Sequence, residues 1–405
     1  LINPVNSSNS TNPINPINPR DGVTMSYKVK FVDPGRLYRM IKEELDAAYF
    51  DVMNNGDLID RGQLRQFEEN LAAFVGTKYA VGLNSGYDAL HISLRAAGIG
   101  PGDEVIVPAH TFLATCSAVV NVGATPVLVD VGKDFNIDCD KVEKVLKSTI
   151  RNPQSKIRGI IPVHLSGYMA DMVWIMEIAK KYDLIVIEDA CQSLGASMMD
   201  EASSKRIKAG AWGLTGCWSF YPFKILGGYG DGGAITTDDP DVALFATRMR
   251  YNGEDRETGE YHGHGFTCLL DNMQAAFLDV KLRYLPQWIV RRQGIAERYQ
   301  HALSDIPDLL LPHYDDLRRD HVYQNYTVRS KQGDDFSNYL KANGVEVLTQ
   351  WRKPYYRHEA LELEDRGFPE TEAISREVCS LPMNVEIDDE EIEYVISVVR
   401  KFYRK

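Results

Sequence analysis

The sequence predicts an α/β protein, with a large domain built on a mostly parallel sheet flanked by helices and a smaller C-terminal α+β domain. Two observations carry this. Short apolar runs at Tyr79–Leu83, Glu104–Pro108, Pro126–Val129, Ile157–Val163 and Leu184–Glu188 alternate with helix-like segments, the pattern of parallel strands joined by helical crossovers. From about Asp271 the alternation stops. A long helical stretch, Met273–Leu303, precedes a strand-like Tyr323–Val328, a helix ending at Asn343-Gly344, a strand at Val345–Thr349 and a last helix after Ile387-Asp388. The expected division is residues 25–270 for the large domain and 271–405 for the small one.

In chain order, the first two dozen residues are rich in Asn, Pro and Ser, with repeated Asn-Pro steps. Such a segment has too little apolar surface to offset its ordering entropy, so 1–24 reads as an appended or disordered leader before a natural start at Met25. Leu37, Ile41, Leu45, Ala48 and Val52 then recur at helical spacing, and Asn54-Asn55-Gly56 supplies the stop. A second helix carries Leu64, Phe67, Leu71 and Phe74 and ends at Gly76. The apolar run Val105–Val129 is broken by Pro108, His110, Asn121 and Pro126, so strand–helix–strand explains it better than a membrane span. In the last helix Ile392, Val395, Ile396 and Val399 share one face.

The 405 residues are 44% hydrophobic and 25% charged, with a net charge of −12. That balance suits an ordinary folded protein and disfavours a nucleic-acid backbone as partner. The six cysteines form no C-x-x-C pair, and no His/Cys cluster has zinc spacing. No metal site is expected, and scattered thiols fit a reducing, cytoplasmic setting.

The chemistry centres on Trp218–Ile235, where Lys224 lies between a Ser-Phe-Tyr-Pro run and a loop holding Gly227, Gly228, Gly230, Gly232 and Gly233. Apolar Trp218, Phe220 and Ile225 suggest a lysine held against a core, and a desolvated amine can form a Schiff base with a carbonyl. Alone, the stretch reads more simply as a surface lysine beside a glycine hairpin. Three other features change that. Ser85-Gly86 lies between a strand and a helix, where backbone N–H groups suit a phosphate. Asp189 ends a hydrophobic strand, at the side of an open sheet where ligands gather, and a buried carboxylate there matches a protonated ring nitrogen; capping the next helix is its other reading. Phe112 follows another strand end and offers a ring for stacking or plain core packing. A phosphate loop, a stacking ring, a carboxylate and a Schiff-base lysine are together what pyridoxal 5′-phosphate needs. His110 and His164 also lie near strand ends but fit a structural role equally well and stay outside the catalytic set.

From about Phe31 to Tyr403 the chain resembles fold type I sugar aminotransferases of the DegT–DnrJ–StrS type. The resemblance rests on Asn84-Ser85-Gly86 with Ala89-Leu90, Gly102-Asp103-Glu104, Gly123-Ala124-Thr125-Pro126, Glu188-Asp189-Ala190-Cys191-Gln192, Ser219-Phe220-Tyr221-Pro222, Lys224, Gly230-Asp231-Gly232-Gly233, Gln274-Ala275-Ala276 and Leu381-Pro382-Met383. It implies that Lys224 holds the cofactor covalently, Asp189 pairs with the pyridine nitrogen, and Gln192 lies near the ring's 3-oxygen. Phe112 would stack on the ring, while Gly86, Tyr87 and Ser219 would hold the phosphate. It further implies a homodimer with shared active sites, a keto-sugar nucleotide as amino acceptor, L-glutamate as donor, and a pyridoxamine 5′-phosphate form in the second half-reaction. A sugar dehydratase on the same fold is the alternative, but such enzymes tend to carry His where Lys224 stands. A non-catalytic regulatory relative would have little need of the intact lysine and aspartate.

Three departures bear on the substrate. Tyr87 stands where the family usually has Thr. The usual Gly-x-Asn-x-Arg reads Gly265-Phe266-Thr267-Cys268-Leu269, so Thr267 replaces the Asn that reaches the neighbour's phosphate and Leu269 the Arg that grips a carboxylate. A uronic acid substrate is therefore disfavoured unless His264, Arg250 or Lys353 substitutes. Gln350-Trp351-Arg352-Lys353 replaces a more common His/Tyr-containing stretch. The Gly-Asp-Gly-Gly loop resembles that of enzymes aminating C3 of the sugar more than those acting at C4.

Overall fold

The computed structural model describes residues 26–149, 156–312, 316–363 and 367–404; the expected leader lies outside them. Three helices open the chain: α1 (Pro34–Met40), α2 (Lys42–Asn55) and α3 (Gly62–Val75). Gly56 and Gly76 end the latter two in the left-handed conformation that a residue without Cβ adopts cheaply. There follow β1 (Tyr79–Leu83), α4 (Gly86–Ala96), β2 (Glu104–Pro108), α5 (Leu113–Asn121), β3 (Thr125–Val129), α6 (Cys139–Thr149), β4 (Ile157–Ile160), α7 (Met172–Tyr182) and β5 (Ile185–Asp189). A hairpin, β6 (Ser197–Asp200) and β7 (Lys205–Lys208), leads to β8 (Thr215–Ser219), β9 (Gly233–Thr237) and α8 (Pro240–Met249).

The main sheet runs in the order β1-β9-β8-β5-β4-β2-β3. The pairings β8–β5, β5–β4, β4–β2 and β2–β3 are parallel, and only β9 is reversed against its neighbours. The expected mostly parallel sheet is therefore present. Because β9 reverses, β1 runs with β8, and the carboxyl ends of β1, β2, β5 and β8 share one edge. Leu83 and Ser219 both pair with Gly233 in one row. A Cβ on Gly233 would lie 2.3 Å from the carbonyl carbon of Ser85, so only glycine lets the loop after β8 touch the loop after β1.

Glu188 fixes the end of β5 from its inner face. The buried carboxylate accepts from the N–H groups of Gly210 (2.9 Å), Trp212 (2.7 Å) and Gly213 (2.9 Å), and His164 Nε2 lies 3.0 Å away. Ala170 N–H donates to His164 Nδ1, which assigns the proton of a neutral ring to Nε2. His164 thus belongs to the scaffold. His110 is also buried, and desolvation holds it neutral, its pKa lowered to about 3.

The remaining elements are α9 (Asn272–Leu303), β10 (Leu309–Leu310), β11 (Tyr326–Ser330), α10 (Gly333–Ala342), α11 (Pro369–Glu377), β12 (Val378–Leu381) and α12 (Asp389–Tyr403). Strands β10, β11 and β12 form a small antiparallel sheet. Helix α9 joins the two cores: Ala275, Leu278 and Leu285 pack in the first, Ile295, Tyr299 and Leu303 in the second. The strand expected at Val345–Thr349 does not form. Val345 bridges Val29 and Leu348 bridges Ser380, but these are single contacts, and the chain turns away at Trp351, whose φ is 50°.

Candidate active site

The shared strand edge brings most of the sequence-predicted residues together. Asp189 is buried at the last position of β5. Its Oδ2 accepts from Thr115 Oγ1 at 2.8 Å and its Oδ1 from Cys191 N–H at 3.3 Å. Thr115, on α5, in turn meets Thr111 at 2.9 Å. The carboxylate is thus held in place yet keeps lone pairs for a further donor.

Lys224 follows β8 in a turn closed by its own N–H bonding to Tyr221 C=O at 2.8 Å. Desolvation lowers its ammonium pKa below the usual lysine range, while Cys191 and Asp189 act in the opposite direction. Among the described residues its Nζ has no hydrogen-bond or salt-bridge partner. An amine so placed is available as a nucleophile at a lower pH than a solvated lysine.

Gly86 is the first residue of α4, capped by Ser85, whose Oγ accepts from Asp88 N–H at 3.1 Å. No described residue accepts the N–H groups of Gly86 and Tyr87, so both remain available to an anion. A Cβ on Gly86 would lie 2.7 Å from Cys191 Sγ and 2.9 Å from Ser219 Cβ. Gly86, Ser219 and Cys191 therefore crowd around one point beside Asp189. Asn121 Nδ2, at the end of α5, donates to the Tyr87 hydroxyl at 2.6 Å. Phe112, the N-cap residue of α5, is 59% exposed, an unusual state for Phe next to a buried strand end. Gln192 Oε1 accepts from Ser166 N–H at 2.8 Å, which leaves its amide NH2 as the donor this side chain offers.

Comparison with known proteins bears directly on this arrangement. Residues 39–400 match the model of the DegT/DnrJ/EryC1/StrS aminotransferase family. The chain belongs to this family. It is a pyridoxal-phosphate-dependent aminotransferase. It is 37% identical to a dTDP-3-amino-3,4,6-trideoxy-alpha-D-glucose transaminase of Streptomyces venezuelae, over 93% of this chain and 96% of that protein. It is 36% identical to a pleiotropic regulatory protein of Geobacillus stearothermophilus, over 93% and 99%. Among solved structures, a DegT DnrJ EryC1 StrS aminotransferase from Brucella abortus superposes with a TM-score of 0.87 at 32% identity, covering 93% of this chain and all of that one. S. venezuelae DesV in complex with a ketimine intermediate gives 0.86 at 37% identity, covering 93% and 99%.

The donor set fits the cofactor of this aminotransferase family: a desolvated amine and two N–H groups at a helix start, all without partners among the described residues, an oriented carboxylate and an open aromatic face. Apart from Tyr87, the family departures fall outside this group. Thr267 is exposed and its hydroxyl bonds Asn252 at 3.2 Å. Leu269 packs on the main core. Arg250 is buried in a salt bridge with Glu68 and bonds Gly82 C=O, so it does not take over the carboxylate-gripping role. His264 and Lys353 are exposed. Trp351 packs edge-on against His110 with ring centroids 5.1 Å apart.

Sequence reasoning missed Thr115, because a Thr inside an apolar helix carries no local signal of its partner. It also missed what Gln274 does: its Oε1 accepts from Tyr229 N–H at 2.8 Å and so holds the glycine loop. Replacing Thr115 with Val removes the donor to Asp189 while keeping shape. We expect turnover to fall about tenfold, equivalent to about 1.4 kcal/mol, as measured by steady-state kinetics. Turnover within about twofold of wild type would mean that Asp189 does not depend on this bond.

Proposed function

We propose that the protein transfers the amino group of L-glutamate to C3 of a keto-sugar nucleotide, with pyridoxal 5′-phosphate held on Lys224. The observation that carries this is the Lys224 amine, without a partner among the described residues, beside the oriented carboxylate of Asp189. When bound, the cofactor supplies an electrophilic carbonyl carbon and a ring that accepts electrons as a substrate C–H bond breaks. Lys224 anchors the group and, once displaced by an amino donor, is a base that moves a proton in the same pocket. Asp189, steadied by Thr115 and Cys191 N–H, keeps the ring nitrogen protonated. Phe112 would stack on the ring, Gln192 would donate toward its 3-oxygen, and Gly86, Tyr87 and Ser219 would hold the phosphate, the first two through backbone N–H.

The C3 reading is supported by the names of several relatives. These include a dTDP-3-amino-3,6-dideoxy-alpha-D-galactopyranose transaminase, 36% identical, and a UDP-N-acetyl-3-dehydro-alpha-D-glucosamine 3-aminotransferase, 33% identical. A UDP-2-acetamido-2-deoxy-3-oxo-D-glucuronate aminotransferase is 35% identical, but Leu269 and the committed Arg250 speak against a uronic acid here. The lysine at 224 speaks against the dehydratase alternative, and an intact Lys224–Asp189 pair against a purely regulatory protein. The six free cysteines are in keeping with a cytoplasmic setting.

The same reading includes a homodimer with shared sites. Met40, Phe50, Met53, Leu58 and Ile59 are each about half exposed on and after α1 and α2, and large apolar side chains left bare along one stretch of chain suit a protein contact. A cleft there is lined by Tyr38, Tyr49, Phe50, Phe277 and Tyr229. Tyr229 belongs to the glycine loop after Lys224, so a second copy covering this face would border the active site. Thr267 would face that copy.

Mixing enzyme with L-glutamate should release 2-oxoglutarate, and Lys224→Ala should abolish multiple turnover. No half-reaction with glutamate or any other amino acid contradicts the transaminase reading. Phe50→Glu with Met53→Glu should give monomers by light scattering and lose activity with them. A fully active monomer would remove the shared-site proposal.

A further inference from the structure

A side chain remote in sequence grips the backbone on both sides of Lys224. Gln324 stands shortly before β11, 99 residues beyond Ile225. Its Oε1 accepts Ile225 N–H at 2.6 Å, and its Nε2 donates to Phe223 C=O at 2.9 Å. These are the residues flanking the lysine. The chain there lies outside any strand or helix, so its peptide groups have no ladder to hold them. Gln324 supplies one donor and one acceptor at the spacing a neighbouring peptide would.

Gln324 is buried and itself held from three sides. Arg292 Nη1 donates to Tyr323 C=O at 2.9 Å and Gln324 C=O at 3.3 Å. Val322 N–H donates to Gly167 C=O at 3.1 Å, and Asn325 N–H to Ser166 C=O at 3.3 Å. A Cβ on Gly167, whose φ is +94°, would lie 2.7 Å from Gln324 N, so glycine is required for this approach. Ser166, also at positive φ, gives its N–H to Gln192. One continuous frame thus connects Gln192, the Ser166-Gly167 turn, Gln324 and the peptides on either side of Lys224.

We propose that Gln324 is the positioning residue for Lys224, fixing the direction in which the lysine side chain leaves the backbone and tying that direction to Gln192. The inference rests on Lys224 as the cofactor anchor. Gln324 bonds only backbone and Lys224 acts through its side chain, so the loss of Gln324 should affect turnover more than substrate binding. A displacement on the order of 1 Å at a reacting group costs about a hundredfold in rate.

Two variants test this. Gln324→Met keeps the volume and loses both bonds; Gln324→Glu keeps an acceptor for Ile225 N–H but turns an oxygen toward Phe223 C=O. At full cofactor content, the Met variant should lose about 10- to 100-fold in kcat with KM for the amino donor within about twofold. The induced circular dichroism of its bound cofactor should weaken, and the Glu variant should fall between it and wild type. Thermal unfolding of each variant gives the folded fraction. The proposal is overturned if the Met variant keeps kcat within about twofold and an unchanged dichroic band, or if its lost activity only follows the unfolded fraction. Lys224→Arg separates the two readings. Loss of the covalent cofactor absorbance in that variant, alongside an unaffected Gln324→Met, overturns the Gln324 proposal alone, whereas its retention overturns the Lys224 reading and this proposal together.

Discussion

Glu188 is fully buried, and a carboxylate in that position is tolerable only when its lone pairs are filled. The three N–H groups of the 210–213 segment and the His164 ring do this. They fix the approach to β8 on one side of β5 and the segment after β4 on the other. Successive residues of a strand point to opposite faces, so the neighbouring Asp189 faces away from this cluster, toward Thr115 and the strand edge. Two adjacent carboxylates therefore do different jobs: one binds the scaffold together, and the other is presented by it. The loop carrying Lys224 follows β8, so its position is also set by the strand that Glu188 helps to anchor.

The alternation of short apolar runs with helical periods was enough to predict the α/β architecture and the parallel pairing, because burial on both faces of a sheet leaves a strong compositional trace. The reversal of β9 was not legible. The close packing of Gly233 on Ser85 that goes with it appears in sequence only as one glycine among several. The missing strand at Val345–Thr349 has a similar cause: its residues have strand character, but β12 offers the segment a single pairing before the chain turns at Trp351. Asp189 and Gly86 stand out in the sequence because each follows an expected strand with a chemical type that suits one cofactor, Lys224 because of the apolar residues and glycine loop around it, and Ser219 only through the family resemblance. Thr115, Gln274 and Gln324 could not, since their work is to bond backbone or another side chain across long separations. Nothing in their local sequence marks that.

Apart from Tyr87, the family departures lie outside the residues proposed to hold the cofactor. Thr267 is exposed, Trp351 covers His110 from the small-domain side, and Arg250 is committed to Glu68. The residues proposed to hold the cofactor are those the family resemblance implies, while the surroundings differ in charge: Leu269 offers no guanidinium to a substrate carboxylate. This is the physical basis for preferring a neutral sugar over an acidic one.

On this reading the folded chain delivers Lys224, desolvated and without a side-chain partner among the described residues, to the carbonyl of its cofactor. Borohydride reduction of the cofactor-loaded enzyme, followed by peptide mass spectrometry, tests it most directly. The account predicts a stable cofactor adduct on the peptide containing Lys224. An adduct confined to another lysine, or no adduct in enzyme that nonetheless transaminates, would contradict it.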